Sequence, residues 1–415
     1  MTALIAPMNA GTFSARDIEA LTASGRTIGT ALGHYIVWLG STAARTCASR
    51  LYFLSREGAW LAGHYARLRR FHPHGGSWPE PTTLAVSRRS TFLPSLSYVD
   101  TQTLAPLLAQ YGQITATTLL QSLGLDLPPV GARPSHLLGL PLDRHWAEPG
   151  VAERILGNVW IATEIERRRM RQREALSRYL IQEGVTETEP LVVADIGWRG
   201  TIQDNLARMM PTRRVIGLYL ALFAPLLPAP SSVGKHGFIL GQADHIRLAR
   251  RLRFVAPLEF VASGETPSTL EYAIEEGRAR AVPDELTVVP LESPAFRLFQ
   301  QTVAEGIDAG ATLHKPSAIT ARNLLLRMIE TPPPSLVHLF FEAWRDDRYG
   351  AGTLRRGAPP LRPMRIAAAL ASRTARRALG LELAESGWPW GLLMRDTPFA
   401  APLLRRLILG LDVRL

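Results

Sequence analysis

The chain holds a single cysteine, Cys47, in 415 residues. An internal disulfide therefore cannot form, and a cysteine cage for a metal lacks its ligands. Because Cys47 directly precedes an apolar segment, a buried core thiol is expected there. Lysine is nearly as scarce. Lys235 and Lys315 are the only two, although Lys and Arg together number 47 and the formal net charge is +11. Arginine thus carries the charge. Its planar fork suits phosphates, nucleotides or an anionic membrane surface. Zinc-finger spacing, an aromatic RNA-binding signature and an isolated basic tail are all missing, so nucleic acid is not the expected partner. Long apolar runs are missing too. The longest, residues 215–227, is interrupted by Gly217 and Pro225 and falls short of the roughly 20 residues that cross a bilayer. Residues 1–13 have no basic start leading into an apolar stretch, so no secretory signal is expected and a cytoplasmic location is. There is no Walker loop, no Gly-x-Ser-x-Gly elbow and no His-Glu-x-x-His pair. His72 and His74 flank Pro73 without carboxylates at ligand spacing, so no metal site is predicted from them.

What is present is a hydrophobic fraction of 46%, enough for a sizeable core and too much for a disordered chain. Helical spacing of Ile28, Leu32, Tyr35, Ile36 and Leu39 predicts a helix within residues 18–39. Short apolar segments predict strands at 50–54, 82–86, 191–194 and 215–223, with helices at 59–70 and 202–210 after the first and third. Residues 71–81 read as a loop, and 151–181 as one long charged helix closing near Gly184, with Arg167 to Arg173 on a solvated face. Beyond residue 288 the pattern is mostly helical, broken at Pro332-Pro333-Pro334. This alternation predicts a Rossmann-like α/β fold with a mostly parallel sheet. Residues 1–285 would form the core, with a helical insertion at about 101–184, and residues 286–415 a mainly helical C-terminal region.

In parallel α/β sheets, ligands bind beyond the carboxyl ends of the strands, where helix N-termini offer N–H groups and partial positive charge. Three segments fall there: Ser55-Arg56-Glu57-Gly58, Ser87-Arg88-Arg89, and Asp195-Ile196-Gly197-Trp198-Arg199-Gly200-Thr201 with Gln203 just beyond. Asp195 and Glu57 are the candidate catalytic residues, for proton transfer or ion binding. Arg56, Arg88 and Arg199 are candidate phosphate ligands. Ser55, Ser87 and Thr201 offer hydroxyls, and Thr201 is also a candidate helix cap. Gly58, Gly197 and Gly200 allow tight turns and close backbone approach beside Trp198. The plainer reading is of capped turns, a local Arg–Glu pair and solvated arginines. If the functional reading holds, Ser55, Arg56, Ser87, Arg88, Asp195, Gly197 and Thr201 share one cleft.

At these segments the chain resembles the region that follows the haloacid-dehalogenase-like domain in predicted bacterial hydrolases of surface-polysaccharide gene clusters. The resemblance rests on Tyr52-Phe53-Leu54-Ser55-Arg56-Glu57-Gly58, then Ser87-Arg88, then Asp195 to Thr201 with Gln203. It spans roughly residues 26 to 280, with a weaker match around Glu259 to Tyr272. It implies a role in making or modifying cell-surface glycan. Glu57 stands where the family usually has Asp, and no Asp-x-Asp segment lies near the N-terminus, so a phosphatase activity is not implied.

Two readings follow. One is an enzyme of transferase or hydrolase type acting on a phosphorylated or nucleotide-linked sugar, with Mg²⁺ as a candidate cofactor. A phosphoribosyltransferase-like enzyme is a sub-case, although the paired Asp-Asp before the loop is missing. The other is a non-catalytic module docking glycan-assembly enzymes such as glycosyltransferases. Residues 363–415 set Ile366, Leu370, Leu379, Leu403, Leu404, Leu407 and Ile408 among arginines. They are expected to form a helical appendage touching a partner or the inner membrane surface, the alternative being that their apolar faces are core.

Overall fold

In the computed structural model, the described residues are 13–104, 114–125, 127–128, 134–225, 228–241, 244, 246–252, 254–263, 266–285, 293–312, 315–342, 344–346 and 354–409. Parts of several predicted segments, including residues 1–12, 105–113, 129–133, 226–227, 286–292 and 410–415, lie outside them.

Five parallel strands form the sheet: β1 (Arg50–Leu54), β2 (Glu80–Leu84), β3 (Leu191–Asp195), β4 (Val215–Ala221) and β5 (Val233–Leu240), in the order β2-β1-β3-β4-β5. This is a doubly wound order, with its switch point between β1 and β3. The near-continuous apolar character of β1, β3 and β4 is explained by burial on both faces, whereas edge strand β2 buries only Leu84. Leu51, Phe53, Val192, Ala194, Ile216 and Leu218 point into one core. Tyr52, Leu54, Leu191, Val193 and Val215, at alternate positions, point into the other. β5 escapes the sequence pattern because Gly234, Lys235, His236 and Gly237 interrupt its apolar character, as an edge strand permits.

The first face is covered by α1 (Ala15–Ala43) and α2 (Glu57–Phe71). α1 is one helix, longer than the pattern predicts, and starts at a capping box between Ser14 and Asp17. The second face is covered by α6 (Val159–Gln182), α7 (Thr201–Met209) and the hairpin of β6 (Ser268–Glu275) and β7 (Arg278–Asp284). The single helix predicted over 151–181 is broken: α5 (Val151–Leu156) stops at Gly157, and Asn158 caps α6 by accepting from the Ile161 N–H. Its arginines are more than a solvated face. Arg168 pairs with Glu271, and Arg169 and Arg173 donate to the carbonyls of Leu96 and Pro94. β2 begins two residues earlier than predicted and ends before Val86, because Ser87 caps an unpredicted helix, α3 (Arg88–Ser95). With α4 (Ala116–Ser122), α5 and the start of α6, α3 encloses a separate apolar cluster containing Leu119, Trp146 and Ile155.

The C-terminal helices share the first core. Besides α10 (Pro294–Ala311) these include α13 (Pro363–Ala371), α14 (Arg373–Glu385), α15 (Pro389–Asp396) and α16 (Ala401–Leu409). Leu379, Trp388, Trp390, Leu404 and Ile408 are buried in the same cluster as β1 and β4. For Leu379, Leu404 and Ile408 the core alternative therefore holds, while Leu370 and Leu403 remain exposed. Cys47 corrects another expectation. It is exposed, with φ 58°, in the turn between α1 and β1. No helix among the described residues is long and apolar enough to cross a membrane.

Candidate functional site

The chain leaves β1 toward β2 on one side of the sheet and leaves β3 toward β4 on the other, so the loops after β1 and β3 diverge and open a crevice. A cavity of about 370 Å³ sits there. Ser55, Arg56, Glu57, Ser87, Arg88, Asp195 and Gly197 to Thr201 all line it, so the three segments share one cleft.

Each segment is held by bonds to its neighbours. Ser55 N–H donates to Leu84 O (2.9 Å) and Ser55 Oγ to Val86 O (2.7 Å), tying the ends of β1 and β2 together. Arg56 has φ 66° and ψ −109°, a conformation costing an L-residue on the order of 1–3 kcal/mol. It also precedes a helix start with no side-chain cap. Asp195 is fixed twice: Tyr35 Oη donates to its carbonyl (2.6 Å), and its Oδ1 accepts from the Ile196 N–H (2.8 Å). The Gly197–Trp198 peptide is cis. A Cβ at Gly197 would lie 2.6 Å from Ala221 O, so the loop passes too close to β4 for any larger residue. Trp198 Nε1 donates to Glu259 Oε1 (2.8 Å). Gly200, at φ 68°, starts α7, again without a side-chain cap.

The electrostatics follow from this crowding. Burial pushes the Asp195 carboxyl well above its ordinary value, and Glu57 and Glu259 push it further, against the Ile196 N–H and Arg88. Burial raises Glu57 too, with Arg56 opposing and Glu259 adding. Arg56 Nη2 lies 3.4 Å from Glu57 Oε1, and that carboxylate side chain is only 17% exposed. Two carboxyls are thus biased toward their protonated forms beneath arginines and helix starts.

Several assignments need correction. Gln203 is fully buried and spent on structure: Nε2 donates to Val215 O and Gly234 O, and Oε1 accepts from Tyr219 Oη. Gly58 does not line the cavity and instead lets α2 start against Phe53. The Ser87 hydroxyl accepts from Ser90 N–H and donates to Thr269 O (2.6 Å), which makes it a cap. Thr201 is the first residue of α7, and Gly200 holds the cap position. Arg89 turns away to Gln121 O.

Glu259 and Tyr219 also line the cavity. Glu259 comes from α9 (Ala256–Val261), far along the chain, and its only sequence signal was the weak match around it. Lys235, one of just two lysines, braces the wall: its Nζ donates to Arg199 O (2.9 Å) and Asp204 Oδ2 (2.7 Å). Among the described residues no group of three or more His, Cys, Asp or Glu side chains could hold a metal. No protein family and no curated protein matches the chain.

Proposed function

We propose that the protein binds a phosphate-bearing small molecule, a phosphorylated or nucleotide-linked sugar, in the switch-point cavity and acts on it. One observation carries the reading: Arg56, Arg88, Arg199 and two uncapped helix starts meet the raised carboxyl of Asp195 in one cavity. The arginines and helix N-termini suit phosphate oxygens. Asp195, holding its proton to higher pH than an ordinary carboxyl, suits the role of proton donor to a departing oxygen, with Glu57 and Glu259 keeping that proton in place. The motifs at 52–58, 87–88 and 195–203 support placing the reaction in cytoplasmic surface-glycan assembly. Convergence of the three loops favours a ligand site over a docking module.

The test is calorimetric titration with inorganic phosphate, pyrophosphate, sugar phosphates and nucleotide sugars, with and without Mg²⁺. Binding of phosphate-bearing probes is expected, weakened about tenfold or more by Arg199→Ala, as loss of a charge-assisted contact implies. The fold should survive, because among the described residues that guanidinium bonds to Ala224 O at the surface and to no core group. Absence of binding by every probe would overturn the reading.

A further inference from the structure

A second cavity, of about 590 Å³, adjoins the first, and Arg199 and Thr201 line both. It lies between the end of α3, the segment after it, the outer side of α7 and the approach to β5. Its lining has three features. Phe92 and Tyr98 supply aromatic surface, and Pro211, Pro225 and Pro230 supply further apolar surface. Exposed Ser97, Gln102 and Ser231 supply hydroxyl and amide groups, while buried Ser95 and Asn205 are bonded within the protein. The charges are largely matched: Asp204 is paired with Lys235, whose side chain is 3% exposed, leaving Arg199 at the shared wall and Arg208 beside Asn205. Asp204 Oδ1 and Ser232 Oγ, both on lining residues, are buried without a hydrogen-bond partner among the described residues.

We infer that the second cavity is a subsite for a neutral polyhydroxylated ring, the sugar part of a ligand whose phosphate lies in the first. The inference rests on the phosphate reading of the first cavity. A lipid or purely apolar ligand would cover the hydroxyl and amide groups of Ser97, Gln102 and Ser231 without giving them partners, at a cost for each. A second anion would find only Arg208 besides the shared Arg199, and Arg208 already donates to Asn205, while a cation would find its one carboxylate already taken. A sugar ring has an apolar C–H face for an aromatic platform and a rim of hydroxyls that both donate and accept, which matches the lining. The Lys235–Asp204 pair, tied to the Arg199 carbonyl, fixes the wall that the two cavities share. A ligand lying across that wall keeps its phosphate on Arg199 and Thr201.

The test compares inorganic phosphate with glucose 1-phosphate, galactose 1-phosphate and ribose 5-phosphate by calorimetry, on the wild type, Tyr98→Ala and Gln102→Ala. Tyr98 is 58% exposed and Gln102 is exposed, so both variants are expected to keep the wild-type melting temperature. At least one sugar phosphate should bind about tenfold tighter than phosphate, and each variant should remove most of that gain while leaving phosphate binding unchanged. If phosphate binds and no sugar phosphate binds tighter, or if both variants leave the gain intact, the subsite is refuted and the phosphate reading stands. If phosphate fails to bind at all, the phosphate reading falls and takes the subsite with it.

Discussion

Asp195 ends β3 with its backbone and one carboxylate oxygen already committed, and the other groups nearest to it electrostatically include two more carboxylates. Its folded-state pKa is raised above the unfolded value, so the folded chain holds the proton more tightly. The associated stability is fully present below the ordinary carboxyl range and is lost as pH rises through the folded value. Asp195→Asn keeps the shape and removes that titration. Thermal melts should therefore show little difference from wild type near about pH 4, with the variant ahead by several degrees at about pH 9. A difference that does not change with pH would show that Asp195 is not held protonated. Ionisation of Asp195 at high pH should also weaken phosphate binding, because it adds an anion to the cavity. The sequence could place Asp195 at a strand end. It could not show the burial, because Glu259 and Tyr35 come from distant segments.

At the scale of elements, α1 and α10 pack backbone to backbone. Gly25, Gly29 and Gly33 recur every four residues on α1, facing Gly306 and Gly310 on α10. A Cβ at Gly29 would sit 2.1 Å from Val303 O, and one at Gly310 would sit 2.3 Å from Thr30 O. The helices meet backbone to backbone, with no room for a side chain. Gly29→Leu is expected to destabilise the protein by about 1–3 kcal/mol or more, because rigid backbone cannot yield to overpacking. Chemical denaturation measures this, and unchanged stability would mean that the two helices do not approach so closely. The four-residue glycine spacing of α1 is visible in the sequence. Its partner is not, because the matching glycines lie some 280 residues away, a separation over which no local periodicity operates. The hairpin of β6 and β7 is similar. Gln172 and Gln182 of α6 each pair with its backbone, at Tyr272 and Ala279, a match that only tertiary contact creates.

At the scale of the whole molecule, one apolar core runs from Leu21 on α1 through the sheet to Ile408 on α16. Trp388 donates to Ile329 O from within it, and Trp390 packs edge-on against Phe254. Truncation after residue 360 would expose that face of the core, with each large buried side chain worth about 1.5–3 kcal/mol. The shortened chain is expected to lose its cooperative thermal transition by circular dichroism. A shortened chain that melts cooperatively near the wild-type temperature would show that the C-terminal helices are dispensable.

The sequence by itself determined the parallel α/β architecture, four of the five strands of the sheet, and the three segments that meet at its switch point. These follow from local physics: short apolar runs mark strands, glycines permit the turns, and parallel connectivity sends strand ends to one side. Tertiary structure decided the rest. Gln203 and Ser87 look like ligand groups in a motif, yet their hydrogen bonds go to the protein itself, a matter of which backbone atoms lie opposite them. Cys47 looks buried beside an apolar strand, yet sits exposed with φ 58° in the turn before it. Glu259, the Lys235 brace and the second cavity depend on elements brought together across the fold. Local spacing reports which side chains can face one another along an element, whereas burial, pairing and cavity shape depend on which elements pack side by side.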